Sequence, residues 1–324
     1  MFEELKGRGL LIHHWDTDGV CSARLLLERL QDKISVNKTP VLSNYYLTEE
    51  ELEKYSKYDF VIIADMGHPK EIILRLAKTA KVLIFDHHLQ DVITEVFHYN
   101  PVIKGENPDL FPSASWIIND YLKNDVNLFA LLGIVGDHEI KIKNNTMFYE
   151  RILRFCKENK LTFNDLLQMV YLIDSNYKLG YKEVVEQIPH ILLEYNSGSE
   201  ILDNVEWNKN LEKLNLEINK QLEMPDENIH NILLKRISTP YNIISTITRK
   251  LAWESGKNTI VLNTGYYDDM NQIYVRSKKN MEEIILQWKS YGLKAGGKKE
   301  VLGANVPKDQ TDTLLKEVIE YLTS

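Results

Sequence analysis

Short apolar runs alternate with amphipathic stretches along the first 140 residues, and the runs end in ionisable side chains. "RGLLIHH" reads as a buried strand, and "VCSARLLLERL" after it has apolar residues at helical spacing, with Gly19 at the junction. "YDFVIIADMGHP" (58–69) repeats the pattern: an apolar strand, Asp65, then a Gly/Pro turn. A helix, "KEIILRLAKTA", leads into "KVLIFDHHLQ" (81–90), a third apolar strand that ends in Asp86, His87 and His88. Strands alternating with helices of this length predict a parallel sheet. Beyond a Pro/Asn loop at 100–112, "PSASWIINDYL" starts a helix at Ser113 or Ser115. "LFALLGIVGDHE" (128–139) is apolar up to Asp137, His138 and Glu139 and fits either strand or helix.

From 145 to 222 the pattern is helical, closing with "WNKNLEKLNLEINKQLEM", an amphipathic helix stopped by Pro225. From 229 the texture changes. "NILLKRI" and "NTIVLNTGYYDDMNQIYVRS" read as strands, the latter two joined as a hairpin through Asp268-Asp269. "NIISTITRKLAWESG" and "NMEEIILQWKSYG" read as helices, and "AGGKKEVLGANVP" as a glycine-punctuated turn. The expected organisation is a domain over 1–200, a linker helix over 201–227 and a smaller α/β domain over 228–324.

Composition changes this picture little. The 324 residues, 44% hydrophobic and 27% charged, suit an ordinary soluble protein of two domains. No apolar run reaches the roughly 18 residues of a membrane span, and "MFEELKGRG" is no signal peptide, so a cytoplasmic protein without a membrane partner is expected. Cys21 and Cys156 make neither a disulfide framework nor a zinc knuckle. A net charge of −8 argues against a protein that coats duplex nucleic acid by charge, but allows a local basic pocket.

The chemistry lies at the polar ends: His14, Asp16 and Asp18; Asp65; Asp86, His87 and His88; Asp137. In a parallel sheet, residues that follow the strands emerge on one edge and can converge. Each piece also has a plain structural use; Asp18 could cap the helix it precedes, and Asp137 could cap another. Together, carboxylates and imidazoles suit Mn²⁺ or Zn²⁺, with Mg²⁺ less well served, and they are too many for one tetrahedral ion. Two ions sharing a bridging carboxylate are the arrangement of phosphoryl hydrolysis. His13, His68, His138 and Glu139 read as supporting or solvent-facing groups. Trp288, Tyr291, Tyr266 and Tyr267 read as packing residues first and base-stacking candidates second.

The segments "HWDTDG", "VIIADMG", "IFDHH" and "GIVGDH" resemble the four motifs of the DHH phosphoesterase superfamily. The region around "VRS" and "AGGKKEVLG" is similar to the DHHA1 substrate-binding domain, whose loop has a "GGGHxxAAG" pattern. The loop departs from that pattern: Lys298 stands for its histidine, and Val301 and Leu302 for its small residues. The resemblance implies an α/β fold, with an N-terminal parallel-sheet DHH domain, a smaller DHHA1-like domain and an active-site cleft between them. It implies one metal held by His14, Asp16 and Asp65, and a second held by Asp18, Asp65, His87 and Asp137. His88 would contact the scissile phosphate or protonate the leaving oxygen, with Asp86 orienting its neighbouring histidine. Arg276, Ser277, Gly296, Gly297 and Lys298 would grip substrate. The implied activity is a phosphodiesterase that releases mononucleotides from single-stranded DNA or RNA or from short oligonucleotides. Its cofactors would be two divalent ions, Mn²⁺ preferred and Mg²⁺ or Co²⁺ as alternatives. The compact length is closer to the nanoRNase/pAp-phosphatase branch than to RecJ exonucleases. A RecJ-like replication or repair subunit with a replisome-type partner, a homodimer, and a cyclic (oligo)nucleotide phosphodiesterase are the alternatives.

Overall fold

The computed structural model describes residues 2–324 except Gln31, Tyr45 and Asn196, and describes Lys298 by its backbone only. The chain forms two compact units, Met1–Leu211 and Glu212–Ser324.

In the first unit the elements run β1 (Gly9–His13), α1 (Thr17–Leu30), β2 (Ile34–Lys38), α2 (Glu49–Tyr55), β3 (Phe60–Ala64), α3 (Lys70–Ala77), β4 (Lys81–Phe85) and β5 (Phe97–Tyr99). Helices follow: α4 (Ala114–Tyr121), α5 (Leu128–His138), α6 (Thr146–Glu158), α7 (Phe163–Lys178), α8 (Lys182–Glu194) and α9 (Gly198–Leu202). The five strands form one sheet in the order β2-β1-β3-β4-β5, and every pairing is parallel. The central strands β1, β3 and β4 are apolar along nearly their whole length because helices cover both faces. Leu11, Phe60, Ile62 and Leu83 join the core with α1, α4, α5 and α7, while Leu10, Ile12, Val61 and Ile63 pack with Leu52, Ile73 and Leu76 of α2 and α3. Each such side chain, fully buried, contributes about 1.5–3 kcal/mol.

The sequence left 128–139 open between strand and helix; it is the helix α5. Asn127 decides it, its side chain accepting the Phe129 and Ala130 N–H groups. Asp137 therefore closes a helix rather than a strand. Ser113 caps α4, accepting the Trp116 N–H at 3.1 Å. The linker helix expected over 201–227 is interrupted. α9 ends at Leu202, Asn204 accepts the Trp207 N–H at 3.0 Å, and α10 runs Val205–Glu223, with the division between the units falling inside it.

The second unit continues with β6 (Asp226–Ile229), β7 (Ile232–Ile237), α11 (Ile244–Ser255), β8 (Asn258–Asn263), β9 (Met270–Arg276), α12 (Glu282–Ser290), β10 (Lys294–Lys298), β11 (Val301–Pro307) and α13 (Thr311–Thr323). Its sheet has the order β10-β11-β9-β8-β7-β6, antiparallel except for β7 with β8. "AGGKKEVLGANVP", expected as a turn, is mostly two strands joined through Lys299-Glu300. Gly297 makes the tight end workable: at φ +152° its position has the Val301 carbonyl oxygen 1.9 Å from where a Cβ would stand. Among the described residues, no helix is long and apolar enough to cross a membrane.

Candidate metal centre

β1 has β2 on one side and β3 on the other, so the chain leaves β1 and β3 in opposite directions and opens a crevice at their carboxyl ends. The ladder continues one residue past each strand. The His14 N–H donates to the Ala64 carbonyl (3.2 Å), that of Asp65 to Phe85 (2.9 Å) and that of Asp86 to Tyr99 (3.2 Å). Three functional side chains are thus hung from sheet hydrogen bonds rather than from a loose loop. Asp65 takes a left-handed backbone at φ 61°, which aspartate tolerates better than most residues.

The "DTD" segment is fixed by two helix ends. Asp16 Oδ1 accepts the Gly19 N–H at 3.1 Å in the first turn of α1. Asp18 does not cap its own helix; its carboxylate accepts the Ala114 (2.7 Å) and Ser115 (2.9 Å) N–H groups at the start of α4. Gly133 of α5 makes room for it, since a Cβ there would lie 2.2 Å from Asp18 Oδ1. Between the two aspartates, the Thr17 N–H and Oγ1 donate to Asp174 Oδ1 of α7 at 3.0 and 2.7 Å. Asp174 lies in the helical stretch where no spacing marked it.

The side chains converge in three groups, the ligand atoms of each lying within 4.8 Å of one another: His14, Asp16 and Asp65; Asp18, His87 and Asp137; Asp65, His87 and His88. His14 Nδ1 lies 2.7 Å from Asp16 Oδ2 and 3.6 Å from Asp65 Oδ2. His87 Nε2 lies 3.4 Å from Asp65 Oδ1 and 3.2 Å from Asp137 Oδ2. The two oxygens of Asp65 therefore face different groups. His88, half exposed, donates from Nδ1 to Asp86 Oδ1 at 2.7 Å, and Asp86 also accepts from the Gln90 side-chain amide.

Electrostatics separate the carboxylates. Burial and then the charges of Asp18, Asp16 and Asp137 raise the Asp65 carboxyl well above its usual range. Burial and the Asp137 charge push Asp18 up to about 6. Burial pushes Asp16 and Asp86 up as well, but the His14 ring outweighs it at Asp16 and the His88 ring at Asp86, and both end low. Asp137 adds a carboxylate in the last turn of α5, where the helix dipole disfavours negative charge. Asp65 Oδ1 is buried and accepts no hydrogen bond among the described residues. Crowded carboxylates with an unsatisfied oxygen, flanked by imidazoles, fit divalent cations, which would supply the missing positive charge.

Of the neighbouring polar groups, read as supporting or solvent-facing, His13, His68 and Glu139 are buried. His13 Nδ1 contacts the His14 carbonyl at 2.6 Å, and burial lowers its pKa to about 4. His138 Nε2 meets the Pro112 carbonyl at 2.9 Å.

In the second unit, Arg276 ends β9 opposite Thr259 and Val301. Ser277 is buried, its hydroxyl donating to Asn258 Oδ1 at 2.9 Å. Gly296 pairs with Gly303 and Gly297 with Leu302 in the β10–β11 ladder. The Lys298 side chain lies outside the described residues. Trp288 is fully buried and donates to Glu317 at 3.3 Å, so it is a core residue and not a stacking platform. Tyr266 and Tyr267 form an edge-to-face pair, and Tyr291 is exposed beside Glu317.

Residues 10–149 match the model of the DHH family, N-terminal domain. No curated protein matches the sequence. Solved structures share the fold at low identity, among them the following three. RecJ from Thermus thermophilus, in complex with Mn²⁺, is 16% identical at a TM-score of 0.72, covering 99% of this chain. This chain spans 53% of that RecJ, about half its length. The pGpG-specific phosphodiesterase PggH from Vibrio cholerae is 14% identical at a TM-score of 0.51, covering 98% of this chain and 99% of its own. CDC45 from Entamoeba histolytica is 10% identical at a TM-score of 0.58, covering 100% of this chain and 99% of its own.

Proposed function

We propose that this chain, whose residues 10–149 match the DHH family's N-terminal domain, is a metal-dependent phosphodiesterase releasing mononucleotides from single-stranded nucleic acid or short oligonucleotides. The observation that carries this reading is Asp65, whose two buried oxygens face two separate His/Asp groups. His14, Asp16 and Asp65 would hold one divalent ion, and Asp18, Asp65, His87 and Asp137 a second. When bound, two such ions, Mn²⁺ first and Mg²⁺ or Co²⁺ as alternatives, supply Lewis acidity at the phosphoryl oxygens and ease deprotonation of the attacking water.

The chain's own residues do the rest. Asp86 holds the His88 Nδ1–H, which fixes the ring and leaves Nε2 to face the phosphate or, protonated, to give its proton to the leaving oxygen. The α4 and α1 N-termini hold Asp18 and Asp16 as carboxylates aimed at the centre. Arg276 and the β10 glycines are the proposed grip on a remote part of the substrate, where Arg matches phosphate in bidentate geometry.

The test incubates the protein and Asp65→Ala with Mn²⁺ and end-labelled RNA and DNA graded in length down to the dinucleotide. The expected products are mononucleotides from the unmodified protein. Asp65→Ala should remain folded by circular dichroism while losing bound Mn²⁺ and nearly all product. Metal-loaded protein that cleaves no strand of any length would favour a binding subunit instead.

A further inference from the structure

Three polar side chains after β4 have no part in the two ion sites: Gln90, His98 of β5 and Asn100 just beyond it. All three bear on Asp86 and His88. Asp86 is fully buried and its oxygens are divided, Oδ1 accepting the His88 Nδ1–H at 2.7 Å and Oδ2 the Gln90 amide. An ionised carboxylate only accepts, so the end of Gln90 that meets it is the NH2 group. The same amide nitrogen lies 3.4 Å from His98 Nε2, while His98 Nδ1 lies 3.3 Å from the Ile93 nitrogen, whose N–H points at it. Both nitrogens of that buried ring therefore face donors. A protonated ring would set donor against donor, and burial lowers the His98 pKa in the same sense. The neutral ring has one acceptor nitrogen, for either the amide or the Ile93 N–H, so the charge of Asp86 decides which way the amide points. Asn100, also fully buried, holds the backbone: Nδ2 donates to the His88 carbonyl at 2.9 Å, and Oδ1 accepts the Val102 N–H at 3.1 Å.

His88 is half exposed, so packing alone does not orient its ring. A carboxylate held through one oxygen can still turn about its Cβ–Cγ bond, and a second donor on the other oxygen stops that rotation. We propose that Gln90 is a positioning residue for His88, acting through Asp86, with the His98 ring packed behind its amide. The amide fixes the plane of the carboxylate, and the carboxylate fixes the imidazole. Gln90 ends the stretch "KVLIFDHHLQ", where nothing in its spacing marks it for this work. The role deepens the reading of the protein as a phosphodiesterase and rests on it for what His88 acts upon. The ordering of the ring does not depend on that reading.

Turnover and ring order are therefore measured separately. Gln90→Met keeps the length of the side chain without its donor, and Gln90→Glu keeps the shape and sets an acceptor against Asp86. With Mn²⁺ and a dinucleotide, both should lower kcat about tenfold or more, with KM and bound Mn²⁺ almost unchanged. In a His88→Ala background, Gln90→Met should cost nothing further, because its effect passes through that ring. Magnetic resonance of the metal-free protein with isotope-labelled histidine reads the ring directly. The Nδ1–H signal that His88→Ala removes should broaden or vanish in Gln90→Met. Losses that multiply in the double variant, Mn²⁺ loss in either single variant, unchanged kcat in an active protein, or an unchanged Nδ1–H signal would overturn the proposal. A protein that cleaves nothing yet loses that signal in Gln90→Met would keep the positioning role and sink the hydrolase.

Discussion

At the scale of single residues, two adjacent histidines are held for different work. His87 Nε2 faces Asp65 and Asp137, whereas His88 is turned to Asp86 and is half exposed. His87→Ala should therefore lose Mn²⁺, measured by plasma emission on dialysed protein. His88→Ala should keep it while turnover of a dinucleotide falls about 10²-fold or more. Equal metal loss in the two variants would mean that the roles are exchanged. His68 makes a different kind of claim. Neither of its nitrogens has a hydrogen-bond partner among the described residues, and burial lowers its pKa to about 4. The unfolded chain takes up that proton near pH 6.5 and the folded protein does not. The stability is complete above 6.5 and is lost as pH falls toward 4, by about 3 kcal/mol for this group. In urea titrations at pH 7 and pH 4.5, His68→Phe should gain relative to the unmodified protein at the lower pH. A difference that stays constant with pH would contradict the buried, neutral ring. The clustered His and Asp residues could be picked out in the sequence because they follow apolar runs. The burial of His68 could not, since a lone histidine after a strand looks the same whether it faces water or core.

At the scale of elements, the centre depends on helix ends that belong to distant sequence. α1 begins with Thr17 bonded through both backbone and hydroxyl to Asp174 of α7, 157 positions away. Asp174→Ala removes both bonds between Asp16 and Asp18 without touching either aspartate. The expected outcome is Mn²⁺ affinity weaker by about 10–100-fold with helix content retained, and Thr17→Val, which keeps the backbone donor, should lose less. Unchanged affinity in folded Asp174→Ala would show that the "DTD" turn holds itself. This layer was hard to see beforehand. β2 and β5 are a half-exposed strand and one of three residues, with no apolar run to announce them. α5 is so apolar that its period is lost, and only Asn127 marks its start. The glycines of β10 and β11 suggested a turn because a strand without side chains leaves no alternation to detect.

At the scale of the molecule, the parallel pairing of the first sheet followed from the spacing of its elements, whereas of the second sheet only the β8–β9 hairpin did. The resemblance to the DHH family rested on four short segments, all inside the matched residues 10–149, that only the fold brings together. That separation has a consequence for how the protein comes into being. The clustered His and Asp residues run from His14 to Asp137, hung on the ends of β1, β3 and β4 and on the last turn of α5. Parallel pairing across such distances is a slow, high-contact-order step, and no local fragment gathers His87, Asp18 and Asp137 before it is complete. Metal capture would then be a late event that locks a finished sheet and does not seed it. In stopped-flow experiments, saturating Mn²⁺ should leave the refolding rate almost unchanged and slow unfolding. At a hundredfold excess over the dissociation constant, the stabilisation of about 2.7 kcal/mol should appear almost wholly in the unfolding limb. Faster folding in Mn²⁺ would mean that the ion gathers these strands while they are still apart.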